Sequence, residues 1–515
     1  MIIDLEDYFS KGDKWLYDEL KNLKQDVLPG DFNITIRYTS DQYNNIDSPG
    51  IAISKLQELL TLLDFPNFFI TIATTNKKIR EDLEKIKELY CPFESVLSYE
   101  VIDGEFKKIF QSSDSICVLP WMHLYINPQG VVGTCCEFNE NYPLGRVADT
   151  PLKEIANSAA MRTVRSQMLS GQRPNICSAC WVKEDAHLPS LRQGVNQQFS
   201  QHLSLIEKTK DDGTFEDFKL RYFDFRASNV CNLKCRMCGG KFSSRIAKEE
   251  NDLYNDSTYI DLKLTSEEIY STLAYIEENI DYLESVYFAG GEPLIMDEHY
   301  KILDLLLKHN KSDIKITYNT NLTQLSYKKY NIVDYWKKFS NITVGASIDL
   351  IGPQAGYIRS GTDYDELEEN YENIKDHVGF TITSIVHLCN IFNLPKLQQH
   401  WIVNKKLNPK NLSFRALIYP ENMTLQVLPQ PYKKLARDSI NQHIVWLESI
   451  SGATSLAETW KNVLHYMDTT DQSHLLKDFL RLNDDKDKIR NERFEDVFPE
   501  YRDLRSYVQD KISHS

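Results

Sequence analysis

An α/β protein built on a parallel sheet, open or curled into a barrel, is the fold class this sequence predicts. Three observations carry that reading. Between residues 215 and 425, strand-like runs (RYFDFRA, SVYFAGG, IKITYNT, ITVGASID, FTITSIVHL, LSFRALIY) alternate with helical stretches such as SEEIYSTLAYIEENI and YKILDLLLKHN; strand–helix repetition is the mark of parallel sheets, whose functional groups gather at the carboxyl ends of the strands. The chain has 515 residues, beyond the size at which one core stops growing, so about three to four domains are expected. Its 42% hydrophobic, 11% aromatic and 26% charged residues are ordinary globular composition, neither disordered nor fibrous.

Taken in order, residues 1–110 read as a small α/β unit. After an amphipathic start, NITIRYT and FFITIAT are strands, ISKLQELLTLLDF and KIREDLEKIKELY are helices, and SVLSYEVI is a third strand. No G-x-G-x-x-G or G-x-x-x-x-G-K occurs there, so the unit reads as a docking or substrate-presenting module. Residues 111–200 differ, with short strands, turn residues and clustered cysteines. HLYINPQGVVGTCCEF is a hairpin turning at Asn127-Pro128-Gln129-Gly130, and LKEIANSAAMRTVRSQMLSG is a helix ending at Gly171. Residues 181–210 read as mostly helical, and DDGTFED as a linker. Residues 426–515 carry few strand signals and read as helices; their charged run from 484 to 504 reads as a solvated helix surface.

Charge excludes some functions. Lysine and arginine number 59 against 74 acids, a net charge of −15, the wrong sign for a chain whose main work is gripping nucleic-acid backbone or anionic lipid. No apolar run of about 18 residues occurs, and MIIDLEDYFSKGDKW carries acids where a signal peptide needs a basic end and an apolar stretch. A cytoplasmic location is expected. In a reducing compartment the ten cysteines, at 91, 117, 135, 136, 177, 180, 231, 235, 238 and 389, point to metal rather than disulfides.

The first constellation follows the strand RYFDFRASN: Cys231-Asn-Leu-Lys-Cys235-Arg-Met-Cys238-Gly-Gly. Three thiolates can wrap one face of a compact cluster, whereas a 4Fe-4S centre normally takes four cysteines. One iron would stay open, as in metal sites that do chemistry. A zinc knob with a fourth ligand from elsewhere is the alternative. After the next strand comes Gly290-Gly291-Glu292-Pro293, where two glycines permit close approach to the backbone and Glu292 offers a carboxylate to an amino group.

A three-cysteine loop after one strand and G-G-E-P after the next resemble the radical S-adenosylmethionine (radical SAM) enzymes, over residues 215–425. The resemblance implies a partial (β/α)6 TIM-type barrel and a 4Fe-4S cluster on Cys231, Cys235 and Cys238. It also implies S-adenosylmethionine on the fourth iron, cleaved by one electron to a 5′-deoxyadenosyl radical that takes hydrogen from substrate. By the same resemblance Glu292, within Gly290-Gly291-Glu292-Pro293, contacts the methionine amino group, and Met237 stands where relatives often place an aromatic beside the adenine. Asn321 after Thr320, Ser347, Arg359 and Asn390 lie where relatives hold the ribose and carboxylate; helix capping is the plain alternative for each.

The second constellation is Cys117, twelve residues, Gly130, four residues, Cys135, and later Cys177-Ser-Ala-Cys180. This resembles the auxiliary-cluster domains called SPASM and twitch. With no further cysteine before Cys231, it is similar to the shortened twitch form with one additional 4Fe-4S cluster, two clusters in all. Four cysteines close such a site, so it transfers electrons or shapes the cavity. Relatives usually carry this module after the barrel; here it precedes it. A zinc ribbon is the alternative, and Cys136 can stand in for Cys135. Cys91 and Cys389 read as buried thiols and His123 and His187 as structural, while Trp121 is open to lining a pocket or meeting a partner.

The expectation is therefore a partial (β/α)6 barrel with an N-terminal twitch-type auxiliary Fe-S domain (111–200), an extra α/β unit (1–110) and a helical C-terminal region (426–515). The resemblance implies oxidative modification of a peptide or protein, with dehydrogenation of a sugar or other small molecule as the alternative and a flavodoxin- or ferredoxin-type reductant as partner. The non-enzyme alternatives are a zinc-structured binding protein and an iron–sulfur electron carrier. No membrane partner is expected, and nucleic acid is disfavoured.

Overall fold

The computed structural model describes residues 2–4, 32–38, 68–74 and 115–507 except 186 and 187. The chain forms two compact units, Met1–Asp114 and Ser115–Ser515. In the first, β1 (Ile2–Asp4), β2 (Phe32–Tyr38) and β3 (Phe68–Thr74) form a parallel sheet, with Ile2 opposite Thr35 and Phe32 opposite Phe68. The strand expectations NITIRYT and FFITIAT are met by β2 and β3; β1 is an addition within the segment read as an amphipathic start. SVLSYEVI, both expected helices, Cys91 and His187 lie outside the described residues.

In the second unit the hairpin forms as its turn chemistry dictates. β4 (His123–Ile126) and β5 (Val131–Gly133) pair antiparallel. Asn127 Oδ1 accepts from Gln129 N and Val131 N (2.9 and 3.0 Å), and Gly130 supplies a φ of +74°. β6 (Gly145–Arg146) extends the hairpin. The long helix expected over 152–171 is broken instead. A turn at Leu152–Ile155 precedes α1 (Ala159–Leu169) because the Ser158 side chain accepts from Met161 N and caps a new helix. α2 (Ser178–Asp185) and α3 (Leu191–Gln198) follow, α3 opening with a Ser190–Gln193 capping box.

The six expected barrel strands form as β7 (Tyr222–Phe225), β9 (Ser285–Phe288), β10 (Lys315–Thr320), β13 (Ile342–Ala346), β15 (Gly379–Val386) and β16 (Leu412–Ala416). They lie side by side in chain order and all parallel. Helices α4 (Ser244–Tyr254), α5 (Ser266–Glu278), α6 (Asp297–Lys308), α7 (Gly352–Ile358) and α8 (Tyr364–Ile374) fall between them. Minor ladders join β8 (Lys234–Cys235) to β14 (Arg359–Ser360) and β11 (Ser326–Tyr327) to β12 (Tyr330–Asn331). Burial alternates along β10 and β15. One face is packed against helices, and the other carries Thr317, Asn319, Thr381 and Thr383. This is a partial TIM-type barrel.

The hairpin is not separate from this sheet. β4 pairs parallel with β7, Tyr125 opposite Asp224, so one nine-stranded sheet runs from β16 through β7 to β6. The segment read as a linker is also packed. Phe215 is fully buried, Asn157 Nδ2 donates to its carbonyl (2.8 Å), and a Cβ at Gly213 would stand 2.1 Å from Arg162 O. Arg165 ties these pieces together with bonds to Pro120 O (3.0 and 2.7 Å), Ala156 O (2.7 Å) and Asn157 Oδ1 (2.7 Å). Burial lowers its pKa to about 9. Arg165→Met orphans those acceptors and costs about 2–4 kcal/mol, read as a lower urea midpoint at unchanged slope.

The C-terminal helices are α9 (Gln430–Glu448), α10 (Thr454–Thr469) and α11 (Leu476–Arg490). Trp460 of α10 packs on Phe414 of β16 with ring centroids 4.5 Å apart. The run 484–504 is a solvated surface only in part: Asp487, Phe494, Glu495, Phe498 and Tyr501 are buried. Asp487 and Glu495 meet Arg236 and Arg505 there, whereas Lys488, Arg493, Asp496, Arg502 and Asp503 are exposed.

Candidate iron–sulfur and S-adenosylmethionine sites

The cysteine loop begins where β7 ends and is fastened at both flanks. Asn229 Nδ2 donates to Gly240 O and Tyr259 O (2.8 Å each). Ser243 caps α4 and donates to Leu233 O (2.8 Å). In the middle, Cys235 on β8 is opposite Arg359 on β14, and Arg359 Nη1 reaches Cys235 Sγ at 3.6 Å. Asp349, after β13, holds that guanidinium at Nε (2.7 Å) and is itself held by Ile385 N (2.8 Å). Cys231, Cys235 and Cys238 are half-buried. Burial is the main force raising all three thiols, Cys238 to about 12, and each is raised further by a neighbouring charge; Cys231 and Cys238 both feel Cys235. Three such thiols deprotonate only when a metal takes the proton's place.

The G-G-E-P turn packs directly on this loop. Gly290 and Gly291 have φ of +77° and +55°. Cβ atoms there would stand 2.4 Å from Arg226 Cδ and from Val230 O. The glycines thus admit the cysteine loop itself. Glu292 N donates to Val230 O (2.8 Å), and Pro293 opens a short 3-10 turn that the Glu292 side chain caps at Leu294 N. The Glu292 carboxylate, 1% exposed, also accepts from Thr320 Oγ1 (2.6 Å) and Asn321 N (2.7 Å). A carboxylate offers about four acceptor positions, so one remains for an ammonium. Burial raises its pKa from 4.5 to about 6, against the bonds that lower it.

Neighbouring strand ends converge here. Asn321 Nδ2 donates to Asn232 Oδ1 inside the cysteine loop (2.8 Å), and Asn232 Nδ2 donates to Thr323 Oγ1 (2.7 Å). Ser347 N donates to Thr320 O (2.8 Å), bringing half-exposed Ser347 alongside. Met237 is half-buried in the loop. Asn390 stands apart. It is fully buried, and its side chain accepts from His387 N and donates to Ile385 O (2.8 Å each), closing the turn after β15.

The second site is a hollow lined by Cys117, Cys135, Cys177 and Cys180 with Thr134, Glu137, Met168 and Arg192. Cys117 precedes the Leu119–Trp121 turn, Cys135 follows β5, Cys177 ends the Asn175–Cys177 turn and Cys180 begins α2. All four are buried, and burial raises their pKa, that of Cys177 to about 12. Thr134 Oγ1, buried at the rim, has no hydrogen-bond partner among the described residues. Four buried thiols line one hollow. A polynuclear cluster fits that arrangement. Cys136 does not line the hollow. It bonds the Asp224 carboxylate, and its charged neighbours are Arg226, Asp224, Glu137 and Arg415.

The remaining expectations fall on the core. Burial lowers His123 to about 4; it bonds Tyr222 O (2.8 Å) and stacks on that ring. Trp121 Nε1 donates to Thr209 Oγ1 (2.7 Å), and Cys389 is fully buried. Sequence reasoning missed Asp349, Asn232 and the Asp224–Arg226 pair (3.1 Å at both oxygens). Only the adjacency of Arg226 and Asn232 to the cysteine motif signalled them.

Fold and thiol sets together define an iron–sulfur protein on a partial TIM-type barrel. Residues 226–390 match the model of the radical SAM superfamily, and residues 117–181 the model of SPASM, an iron–sulfur cluster-binding domain. Residues 226–390 are thus a radical-SAM-type segment, preceded by a SPASM-type segment of the iron–sulfur cluster-binding kind. No curated protein matches the chain. Similar solved structures include native anSMEcpe with bound AdoMet (21% identity, TM-score 0.30, 43% of this chain and 59% of that one). The same protein with bound AdoMet and Cp18Cys peptide gives 21%, 0.28, 43% and 58%. Streptococcus suis SuiB bound to S-adenosylmethionine gives 16%, 0.27, 65% and 69%. The chain thus spans less than two thirds of anSMEcpe. Among the described residues no helix is long and apolar enough to cross a membrane.

Proposed function

We propose that this chain is a radical SAM enzyme in which Cys231, Cys235 and Cys238 hold a 4Fe-4S cluster with one open iron. The convergence of that loop with Glu292, Asn321, Ser347 and Arg359 at the carboxyl ends of β7, β9, β10 and β13 carries the reading. Bound together, the cluster and S-adenosylmethionine supply one-electron cleavage of a sulfonium and hence removal of hydrogen from an unactivated carbon. Glu292 receives the methionine ammonium at its free acceptor position. Arg359, oriented by Asp349, stabilises negative charge at Cys235. Asn321, Ser347 and Met237 line the rest of the cofactor site, and Asn390 supports it through its turn.

Cys117, Cys135, Cys177 and Cys180 hold a second, closed 4Fe-4S cluster, suited to accepting the electron that a two-electron substrate oxidation must release. The substrate is a peptide or protein, a reading supported by the presence of a separate unit at Met1–Asp114 in addition to the barrel unit. The location is cytoplasmic and the reductant a small flavodoxin- or ferredoxin-type protein. In domain terms the reading is 1–110 presentation, 111–200 auxiliary cluster, 215–425 radical barrel and 426–515 helical flank.

The test is iron, sulfide and zinc per chain after anaerobic reconstitution, then reductant-dependent 5′-deoxyadenosine formation. About eight irons are expected, with deoxyadenosine formed; two zincs and no deoxyadenosine would sink the proposal. A pH dependence follows from Glu292. Its carboxylate protonates as pH falls through about 6, so S-adenosylmethionine affinity drops below that pH. Glu292→Gln weakens binding by about tenfold to a hundredfold at pH 7.5 and flattens the profile, measured by calorimetry. Because the pKa lies above its ordinary 4.5, the free fold gains stability from this group as pH falls from about 6 toward 4.5.

A further inference from the structure

Arg236 lies between two of the loop cysteines and is 2% exposed. Its partners come from the far end of the chain. Nη1 donates to Asn483 Oδ1 (2.7 Å), and Nη2 to Asp487 Oδ1 and Glu492 Oε2 (2.5 Å each). Nε donates to Tyr357 O (3.0 Å), and the guanidinium lies 3.5 Å over the Tyr357 ring. Tyr357 Oη in turn donates to Asp487 Oδ1 (2.9 Å).

Asn483, Lys486, Asp487 and Arg490 share one face of α11 by their spacing of three, four and seven. Lys486 Nζ donates to Arg236 O (3.3 Å). Arg490 grips Glu249 of α4 with two bonds (2.9 and 2.5 Å), and Glu249 also pairs with Lys234 of the loop (3.0 Å). Glu250 accepts from Gly240 N (3.1 Å). The loop is thus held at 234, 236 and 240, around Cys235 and Cys238. The charged groups that face Lys486 are Arg236, Glu249, Glu250 and Arg490; among the thiols it acts on Cys238, favouring the thiolate.

We propose that α11 belongs to the radical site: its Asn483 and Asp487 position the cysteine loop through Arg236, and Lys486 sets the charge beside Cys238. This rests on the reading that Cys231, Cys235 and Cys238 hold the open cluster. Reduction adds one negative charge to that cluster, and a cation in a weakly screened interior favours the reduced form. Lys486 is a positioning and potential-setting residue, beyond reach of any substrate role argued above.

The experiment compares full-length, anaerobically reconstituted wild type with Lys486→Met and Lys486→Arg. The readouts are iron content, the midpoint potential of the S-adenosylmethionine-responsive cluster by EPR-monitored titration, and dithionite-driven deoxyadenosine formation. Lys486→Met keeps its iron, shifts the midpoint to more negative potential and forms deoxyadenosine about tenfold more slowly; Lys486→Arg restores both. An unchanged midpoint in Lys486→Met with full iron overturns the inference. If Lys486→Met loses iron, Lys486→Gln is measured too. Loss of only the responsive cluster from both supports the positioning role, and loss of both clusters overturns it. A wild type without any responsive cluster would fail the underlying reading instead, before a variant is made.

Discussion

Cys235→Ala abolishes deoxyadenosine formation and lowers iron from about eight to about four per chain. Cys235 is the middle thiol of the loop. It lies on the β8–β14 ladder, accepts from Arg359 and raises the pKa of both other thiols. Two remaining cysteines cannot keep the cluster, and the open iron goes with it. The backbone ladder and the Arg236 network do not involve the Cys235 thiol, so the barrel keeps its fold and the second site its iron. Circular dichroism should match wild type while the low-potential EPR signal disappears. Retained cleavage of S-adenosylmethionine would mean that the three cysteines are not the radical site.

Cys177→Ala has the converse effect. Iron again falls to about four, but the responsive cluster stays and uncoupled deoxyadenosine formation continues at a measurable rate. Stability suffers more here than in Cys235→Ala. The hollow is enclosed by buried residues of the Leu119–Trp121 turn, the segment after β5, α1 and α2, and a cluster bound only by the native state contributes its binding energy to folding. Lower thermal stability of Cys177→Ala with the radical cluster intact is the expected result. Iron remaining near eight would mean that Cys177 is not a ligand, and Cys136→Ala then becomes the informative variant.

Much of the barrel was legible because its signals are local. Strand IKITYNT and its helix YKILDLLLKHN declare themselves through alternation and helical spacing within a dozen residues. The Asn127–Gly130 turn declares itself through four. The break at Ser158 was not read, although Asn157 and Ser158 are capping residue types; the cap bond to Met161 N is what starts the new helix. The choice between Cys135 and Cys136 was hidden. The two lie in the bend and turn that follow β5, and only the folded path of that turn decides that Cys135 faces the hollow and Cys136 faces Asp224.

The sequence by itself determined the chemistry of the chain: three thiols within eight residues, a G-G-E-P turn after the next strand, and a second set of four cysteines on a hairpin and a C-x2-C turn. Such motifs are short because a metal cluster is small, and its ligands can be drawn from a few turns of backbone. Only the tertiary structure decided what surrounds them. The hairpin joins the barrel sheet at β7, Arg165 locks a segment that reads as a linker, and α11 reaches the cysteine loop across 251 residues of chain. A charged run such as LNDDKDKIRN carries no local mark of burial. Its Asp487 and Arg490 enter the core because partners from distant elements satisfy them there, and that pairing exists only once the whole sheet and its helices have packed.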